Sequence, residues 1–206
     1  MCIRDSTYTS KSSLAILKEI MGDQDDRYYG EQEAGSVSLG EKGAVTYRLT
    51  VLNTSVDSVV PKFRIMDILP TDKLGKDISV SGRPRQSAWA VDMKKDDTVS
   101  IVKYGADGSV VRDPDVRVYY TADSANATSE TLKGDQLGGA WTQGDPAGKG
   151  ALALAFESGP AMSLKPGERL EIIFTSHVKN TENQQDMVYR YSVNNFSLSY
   201  SSYLDR

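Results

Sequence analysis

Alternation of apolar and polar positions dominates this chain, and helical spacing is almost absent. The clearest run is Ala44 to Asn53, where Val45, Tyr47, Leu49 and Val51 alternate with Thr46, Arg48, Thr50 and Leu52. Successive side chains of a strand point to opposite faces, so this period of two predicts a β-strand whose inner face carries β-branched and aromatic residues. Asn53-Thr54-Ser55 ends it with turn residues. A second strand is expected from Val59 to Leu69, with Phe63 and Ile65 on one face and Pro70 closing it. Pro61 within it marks a strand start or a sheet edge, because proline offers no N–H to a ladder. Arg169 to Val178 carries Leu170, Ile172 and Phe174 on one parity, after the turn Leu164-Lys165-Pro166-Gly167 in which Pro fixes φ and Gly admits a positive one. Met187 to Tyr203 reads as a long strand, and a change of parity between Val193 and Phe196 predicts a bulge near Asn194-Asn195.

Two stretches are less direct. Ser12 to Met21 fits a helix or a strand: Leu14, Ile16, Lys18 and Ile20 share one parity, Ala15, Leu17 and Met21 the other. The neighbouring strands favour β. In the middle, Asp107-Gly108 sits between Ser100-Ile101-Val102 and Val110-Val111, a hairpin signal. Val116 to Tyr120 and Ala151 to Phe156 read as short strands, and Thr121 to Gly150 as a long surface loop with Trp141 as its anchor. No internal repeat or linker interrupts the chain. The expectation is a single all-β, antiparallel sandwich domain over 7–206, with an insertion at about 75–160.

Composition narrows the function. With 28 acidic residues against 24 basic ones, and a net charge of −4, the chain lacks the clustered basic face that phosphate binding needs, so nucleic acid is not an expected partner. No run of about 18 apolar residues is present, so no membrane-spanning helix is expected. The first six residues, Met1-Cys2-Ile3-Arg4-Asp5-Ser6, look like a translated sequencing adapter and are set aside from fold reasoning together with the only cysteine, Cys2. Catalytic motifs of the common hydrolase, metalloprotease and P-loop kinds do not occur. His177 is the only histidine and reads as a surface or packing residue, and zinc lacks its usual ligands. Asp23-Gln24-Asp25-Asp26 and Asp113-Pro114-Asp115 offer oxygen ligands for calcium, but without EF-hand spacing, so no cofactor is expected.

Four segments carry a resemblance. Gly43 to Thr54, Met66-Asp67-Ile68-Leu69-Pro70, Leu164 to Glu168 and Asn194-Asn195-Phe196-Ser197-Leu198 resemble, in order and approximate spacing, the successive motifs of the bacterial surface repeat called domain of unknown function 11. The stretch Leu14 to Asp26 resembles the leading strand of Gram-positive adhesin and pilin modules. The elements around Trp89, Tyr119-Tyr120 and Trp141-Thr142 resemble the middle of long adhesin stalk domains. The resemblance implies an immunoglobulin-like Greek-key β-sandwich displayed in series on a bacterial cell wall, not an enzyme. Its implied partners are the neighbouring domains of the same surface protein. The insertion departs from the family pattern and leaves room for a binding surface for a host protein or glycan, for which Trp89, Tyr119, Tyr120 and Trp141 are the candidates. A third, more distant reading is an accessory domain of a secreted hydrolase.

Related surface modules also join a Lys on an early strand to an Asn on the last strand beside a buried Asp or Glu. An amine attacks only when neutral, which an apolar core favours, and a buried carboxyl can carry the proton between amine and amide. Here Lys18 shares parity with Ile16 and Ile20, Asp67 with Phe63 and Ile65, and Asn194 with Phe196 and Leu198. Asn195 is the alternative acceptor if the bulge falls differently, and Lys62 is disfavoured because its parity opposes Phe63. The same residues have a plainer reading, in which Asp67 and Asn194 tie loops and strand ends while Lys18 reaches water from a sheet edge.

Overall fold

The computed structural model describes residues 14–30, 33–38, 40–73, 75–179, 192 and 194–204. The adapter-like start and residues 187–191 and 193 of the expected last strand lie outside that set. Regular structure among the described residues is almost all strand: β1 (Leu14–Gly22), β2 (Ala44–Asn53), β3 (Ser58–Ile68), β4 (Val91–Asp92), β5 (Val99–Tyr104), β6 (Val110–Arg112), β7 (Val116–Thr121), β8 (Thr142–Gln143), β9 (Ala153–Ser158), β10 (Arg169–Val178) and β11 (Asn195–Leu204), with one short α-helix, α1 (Ser129–Lys133), and two single-turn 3-10 helices. Two antiparallel sheets pack as a sandwich, the expected architecture. One runs β1-β2-β10-β5-β6 with β4 also on β10, and the other runs β11-β3-β9-β7-β8.

The alternation read in the sequence becomes the main core. Tyr47, Leu49 and Val51 of β2, Leu170, Ile172 and Phe174 of β10 and Ile20 of β1 meet Phe63 and Ile65 of β3, Leu154 and Phe156 of β9 and Phe196 of β11. The opposite faces of β1 and β2 hold register through a bidentate pair, the Arg48 guanidinium donating to the Glu19 carboxylate at 2.7 and 2.8 Å. The turn before β10 is the one its residues prescribe. Glu168 N–H donates to Lys165 O, Gly167 adopts φ +77°, and Gly167 N–H donates to the carbonyl of Asn53.

The segment at 75–160 carries the short strands expected in it and supplies them to both sheets, β5 joining β10 and β9 joining β3. Its part over Thr121 to Gly150 contains α1 and β8, and Trp141 does anchor it. Met66 and Ile68 of β3 and Ala153 and Ala155 of β9 turn outward and are covered by Val80, Ala127, Leu132 and Trp141, a second core on the outer face of the sheet. The buried Arg64 guanidinium fastens this layer by donating to the carbonyls of Thr131, Leu132 and Gly134 at the end of α1 and to the Glu157 carboxylate. Finally, Pro61 lies inside β3 rather than at its start, and β3 is an inner strand. It is tolerated because the pairing with β11 shifts register between Ser201 and Tyr203, opposite Lys62 and Val59, so Pro61 sits in the irregularity. Pairing from Asn195 to Ser201 is continuous, which puts this shift further along β11 than the expected bulge.

Candidate functional site

The middle of β1 brings Lys18 into the sandwich. Lys18 is paired with Leu49 at the edge of its sheet, and its parity turns the side chain inward. Asp67 comes from the other sheet, flanked in register by Phe196 on β11 and Leu154 on β9. The Lys18 ammonium donates to the Asp67 carboxylate, and their side chains are 1% and 0% exposed. The ammonium also lies 5.0 Å from the Tyr47 ring centre and 5.6 Å from that of Phe196. A buried ion pair of this kind adds little stability over apolar side chains of the same volume, so the fold has no need of it for packing.

Asn194 immediately precedes β11 and is fully buried, whereas Asn195 begins the strand, half-buried and paired with Ile68. Parity therefore selects Asn194 as the inward residue. Lys62 is exposed and 3.9 Å from Asp135.

Buried polar atoms without hydrogen-bond partners include the Tyr47 hydroxyl, Oδ1 of Asp67, Oγ of Ser176, and both Oδ1 and Nδ2 of Asn194. The Tyr47 hydroxyl approaches Ser176 and Asn194 without full hydrogen-bond geometry, and the negative charge of Asp67 bears on it. Burial first, and Asp67 second, push the pKa of this hydroxyl upward, so Tyr47 keeps its proton. Arg85 closes the site from the central segment. Its guanidinium donates to the carbonyls of Ile68 and Leu69 at 2.5 and 2.7 Å and pairs with Asp77 at 2.7 Å. Burial lowers its pKa, while Asp77 and Asp67 hold it up. Tyr47, Ser176 and Arg85 were not among the residues singled out from sequence. Ser176 had a legible signal, a hydroxyl on the inward parity of Leu170, Ile172 and Phe174; Arg85 had none.

The four aromatic candidates do not form one surface. Trp89 is 7% exposed within the main core, its N–H and C=O both bonded to the Ser192 hydroxyl, and Tyr120 packs on the same core. Trp141, also 7% exposed, and Tyr119 belong to the second core. These last two border an open groove of about 630 Å3 whose polar lining includes Lys62, Arg117, Asp135 and Glu157.

His177 stands on β10 with Nδ1 3.1 Å from Asp97. The acidic clusters serve the backbone. Asp23 accepts from the N–H groups of Ser38 and Ala44, Asp25 from Gly22 and Ser36, and Asp115 from Ala161. Among the described residues no group of three or more His, Cys, Asp or Glu side chains is placed to hold a metal ion, and no helix is long and apolar enough to cross a membrane.

No family model matches the chain, and no curated protein matches it. Among solved structures it is similar to the CBM3a-L domain with flanking linkers from scaffoldin cipA of the Clostridium thermocellum cellulosome, at 13% identity and a TM-score of 0.34, over 92% of this chain and 85% of that one. A second similar structure is the family 3a carbohydrate-binding module from the same scaffolding, again at 13% identity and a TM-score of 0.34, over 93% and 96% of the two chains. A likeness at this level gives no guide to activity.

Proposed function

We propose that this domain is a stalk or spacer module of a bacterial cell-surface protein, closed by an isopeptide bond that it forms itself between Lys18 and Asn194. The observation that carries the reading is the fully buried contact between Lys18 and Asp67, together with a buried Asn194 amide without a hydrogen-bond partner two residues before Phe196, the residue that pairs with Asp67. The chemistry needs no cofactor. The Lys18 proton passes to Asp67 across their contact, and the freed amine attacks Cγ of Asn194. A C–N bond forms, Asp67 returns the proton to Nδ2, the Cγ–Nδ2 bond breaks and ammonia leaves, while the extra proton on the attacking nitrogen passes to Asp67, which ends protonated beside the new amide. The reaction happens once per chain and uses no external substrate, so the module is not an enzyme in the ordinary sense.

The topology gives the bond a purpose. β1 is the edge of one sheet and β11 the edge of the other. A covalent link between Lys18 and Asn194 joins the first described strand to the start of the last, so a pulling force on the two ends meets a bond rather than a ladder of hydrogen bonds. Such a module suits a position among neighbouring domains on a cell wall. The test is the intact mass of the purified chain. A deficit of about 17 Da marks one ammonia lost, peptide mapping should place the link on Lys18 and Asn194, and Asp67→Ala should restore the full mass. An unmodified mass in the natural sequence overturns the isopeptide.

A second reading, a ligand-binding adhesin module for a host protein or glycan, is favoured by the groove beside Tyr119 and Trp141. It mixes aromatic surface with charged groups of both signs, as recognition of polar ligands requires. A glycan array probed with the chain and with Arg117→Ala and Tyr119→Ala variants tests it; binding that survives both substitutions would remove the groove from consideration.

A further inference from the structure

One row of residues crosses four strands on the outer face of the second sheet. Ser199 of β11 pairs with Arg64 of β3, Arg64 with Glu157 of β9, and Glu157 with Arg117 of β7. At about 4.8 Å per strand spacing the row is roughly 14 Å long. The second core covers the sheet on one side of it, over Met66 and Ala155; on the other side Lys62 and Ser201 face each other, both exposed. Two hollows meet along the row, one of about 630 Å3 toward β7 and one of about 150 Å3 toward β11, and Lys62 and Glu157 line both. They form a trough that runs across the strands.

The charged side chains lining the trough are Lys62, Arg64, Arg117 and Lys133 against Asp135 and Glu157. Arg64 and Glu157 neutralise each other at 2.5 Å, and Lys62 lies 3.9 Å from Asp135. That leaves Arg117 and Lys133, both exposed and neither in an ion pair among the described residues. Glu130, three residues before Lys133 on α1, does not line the trough. The trough is therefore cationic on a chain whose net charge is −4. We propose that it binds an extended acidic oligosaccharide, one bearing carboxylates or sulfates, an inference that rests on the binding-module reading above. Charge rather than stacking singles out an acidic sugar. A neutral ligand depends on apolar and aromatic lining, yet Trp141 is only 7% exposed and Tyr119 is half-buried in the second core, so little ring surface is on offer. A carboxylate or sulfate, by contrast, meets Arg117 and Lys133 without displacing an internal partner, and the guanidinium can take it bidentately. The hydroxyls of Ser199 and Ser201 along the β11 half can bond sugar hydroxyls. The direction of the trough disfavours a peptide, which would add along a free strand edge through its backbone, because the ladder bonds of β3, β9 and β7 are already made. Two spare cations are too sparse for a nucleic-acid backbone.

The experiment is titration calorimetry of the full chain with an oligogalacturonate, a heparin-derived oligosaccharide, a neutral cello-oligosaccharide and a single-stranded oligodeoxynucleotide. One or both of the acidic saccharides should bind, more weakly as salt is added, and the difference between them separates carboxylate from sulfate recognition. The neutral saccharide and the oligonucleotide should not bind. Arg117→Glu and Lys133→Glu each remove a charge-assisted contact and should weaken binding by about tenfold or more. Both side chains are exposed, so the fold should be unchanged by circular dichroism. Lys42→Glu makes the same change of charge at an exposed position just before β2, in the other sheet, and should bind as the natural chain does. Acidic saccharides that fail to bind, that bind no better than the oligonucleotide, or that bind both trough variants as tightly as the natural chain overturn the proposal. A neutral saccharide whose binding is lost in Arg117→Glu overturns the acidic class alone and leaves the groove as the glycan site of that second reading. Binding of no saccharide at all overturns the acidic class and the glycan form of that reading together.

Discussion

Lys18 and Asp67 meet in the dry interior from opposite sheets, one from an edge strand and the other from a strand flanked on both sides. Each charge is tolerable only because of the other. The aromatic rings of Tyr47 and Phe196 lie against the ammonium, and both charged side chains are shut off from solvent.

Removing one partner should therefore cost far more than removing both. Asp67→Ala strands the ammonium, and a buried pair broken in this way loses about 3–5 kcal/mol. The double variant Lys18→Met, Asp67→Leu also lacks any cross-link but leaves no charge behind. Urea denaturation should place it several kcal/mol above Asp67→Ala; equal stabilities would mean that water reaches the site.

Asn194→Ala separates the covalent link from the ion pair. It leaves Lys18 and Asp67 together and removes an amide that has no hydrogen-bond partner, so without a cross-link the change should be small. With the cross-link, it opens a loop spanning nearly the whole described chain, worth about 5 kcal/mol by the chain-entropy argument. For a domain of this size the melting temperature should then fall by roughly 10–20 °C. Calorimetry of the two chains side by side distinguishes the cases.

What was legible in the sequence follows from how many faces of a strand are buried. β2 and β10 each bury one face, so alternation gave their limits to the residue, and parity gave the inward direction of Lys18 and Asp67. β3 is different. From Phe63 to Ile68 every residue is buried, because a second layer covers its outer face, and period-two reading there cannot announce Arg64 or the α1 layer above it. Arg85 escaped for another reason. Its role comes from reaching the carbonyls of Ile68 and Leu69 out of an irregular segment, a tertiary relation with no local pattern. The domain-wide role of 75–160 was hidden likewise, since short strands such as β5 and β9 take their place from pairing with distant partners, not from their own length.

Acid should loosen the loop after β1 before it affects the core. Burial works against ionisation of Asp23, but hydrogen bonds from the Ser38 hydroxyl, the Gln24 amide and the N–H groups of Ser38 and Ala44 outweigh it and bring its pKa down from 3.8 to about 2. A folded pKa below the unfolded one means stability that is complete above about pH 4 and lost as pH falls through the folded value. Asp23 is largely exposed, so screening keeps the effect modest. NMR titration should show its carboxyl changing near pH 2, and the stability difference between the natural chain and Asp23→Asn should shrink between pH 4 and pH 2. A titration near 3.8 would mean the loop hydrogen bonds do not persist in solution.

Asn53 provides the sharpest test of how the sandwich end is held. Its amide donates to the carbonyls of Ser58 and Leu164, each at 2.8 Å, and its Oδ1 accepts from the N–H and hydroxyl of Ser55. One buried side chain thus joins the β2–β3 turn to the segment leading into β10, and its own backbone bonds Glu168 and Gly167 across the same corner. Asn53→Ala takes one donor from each carbonyl, which keep the Ser55 hydroxyl and the Val60 N–H, and removes the acceptor of the Ser55 N–H, so it should cost about 1–3 kcal/mol. Asn53→Asp is nearly identical in shape but replaces the donor with an oxygen facing two carbonyl oxygens, so it should cost at least as much at neutral pH and recover part of the loss in acid, where the protonated carboxyl can donate again. Denaturation of both variants at pH 7 and pH 4 checks the order; an Asp variant as stable as the natural chain at pH 7 would show that the two carbonyls find water instead.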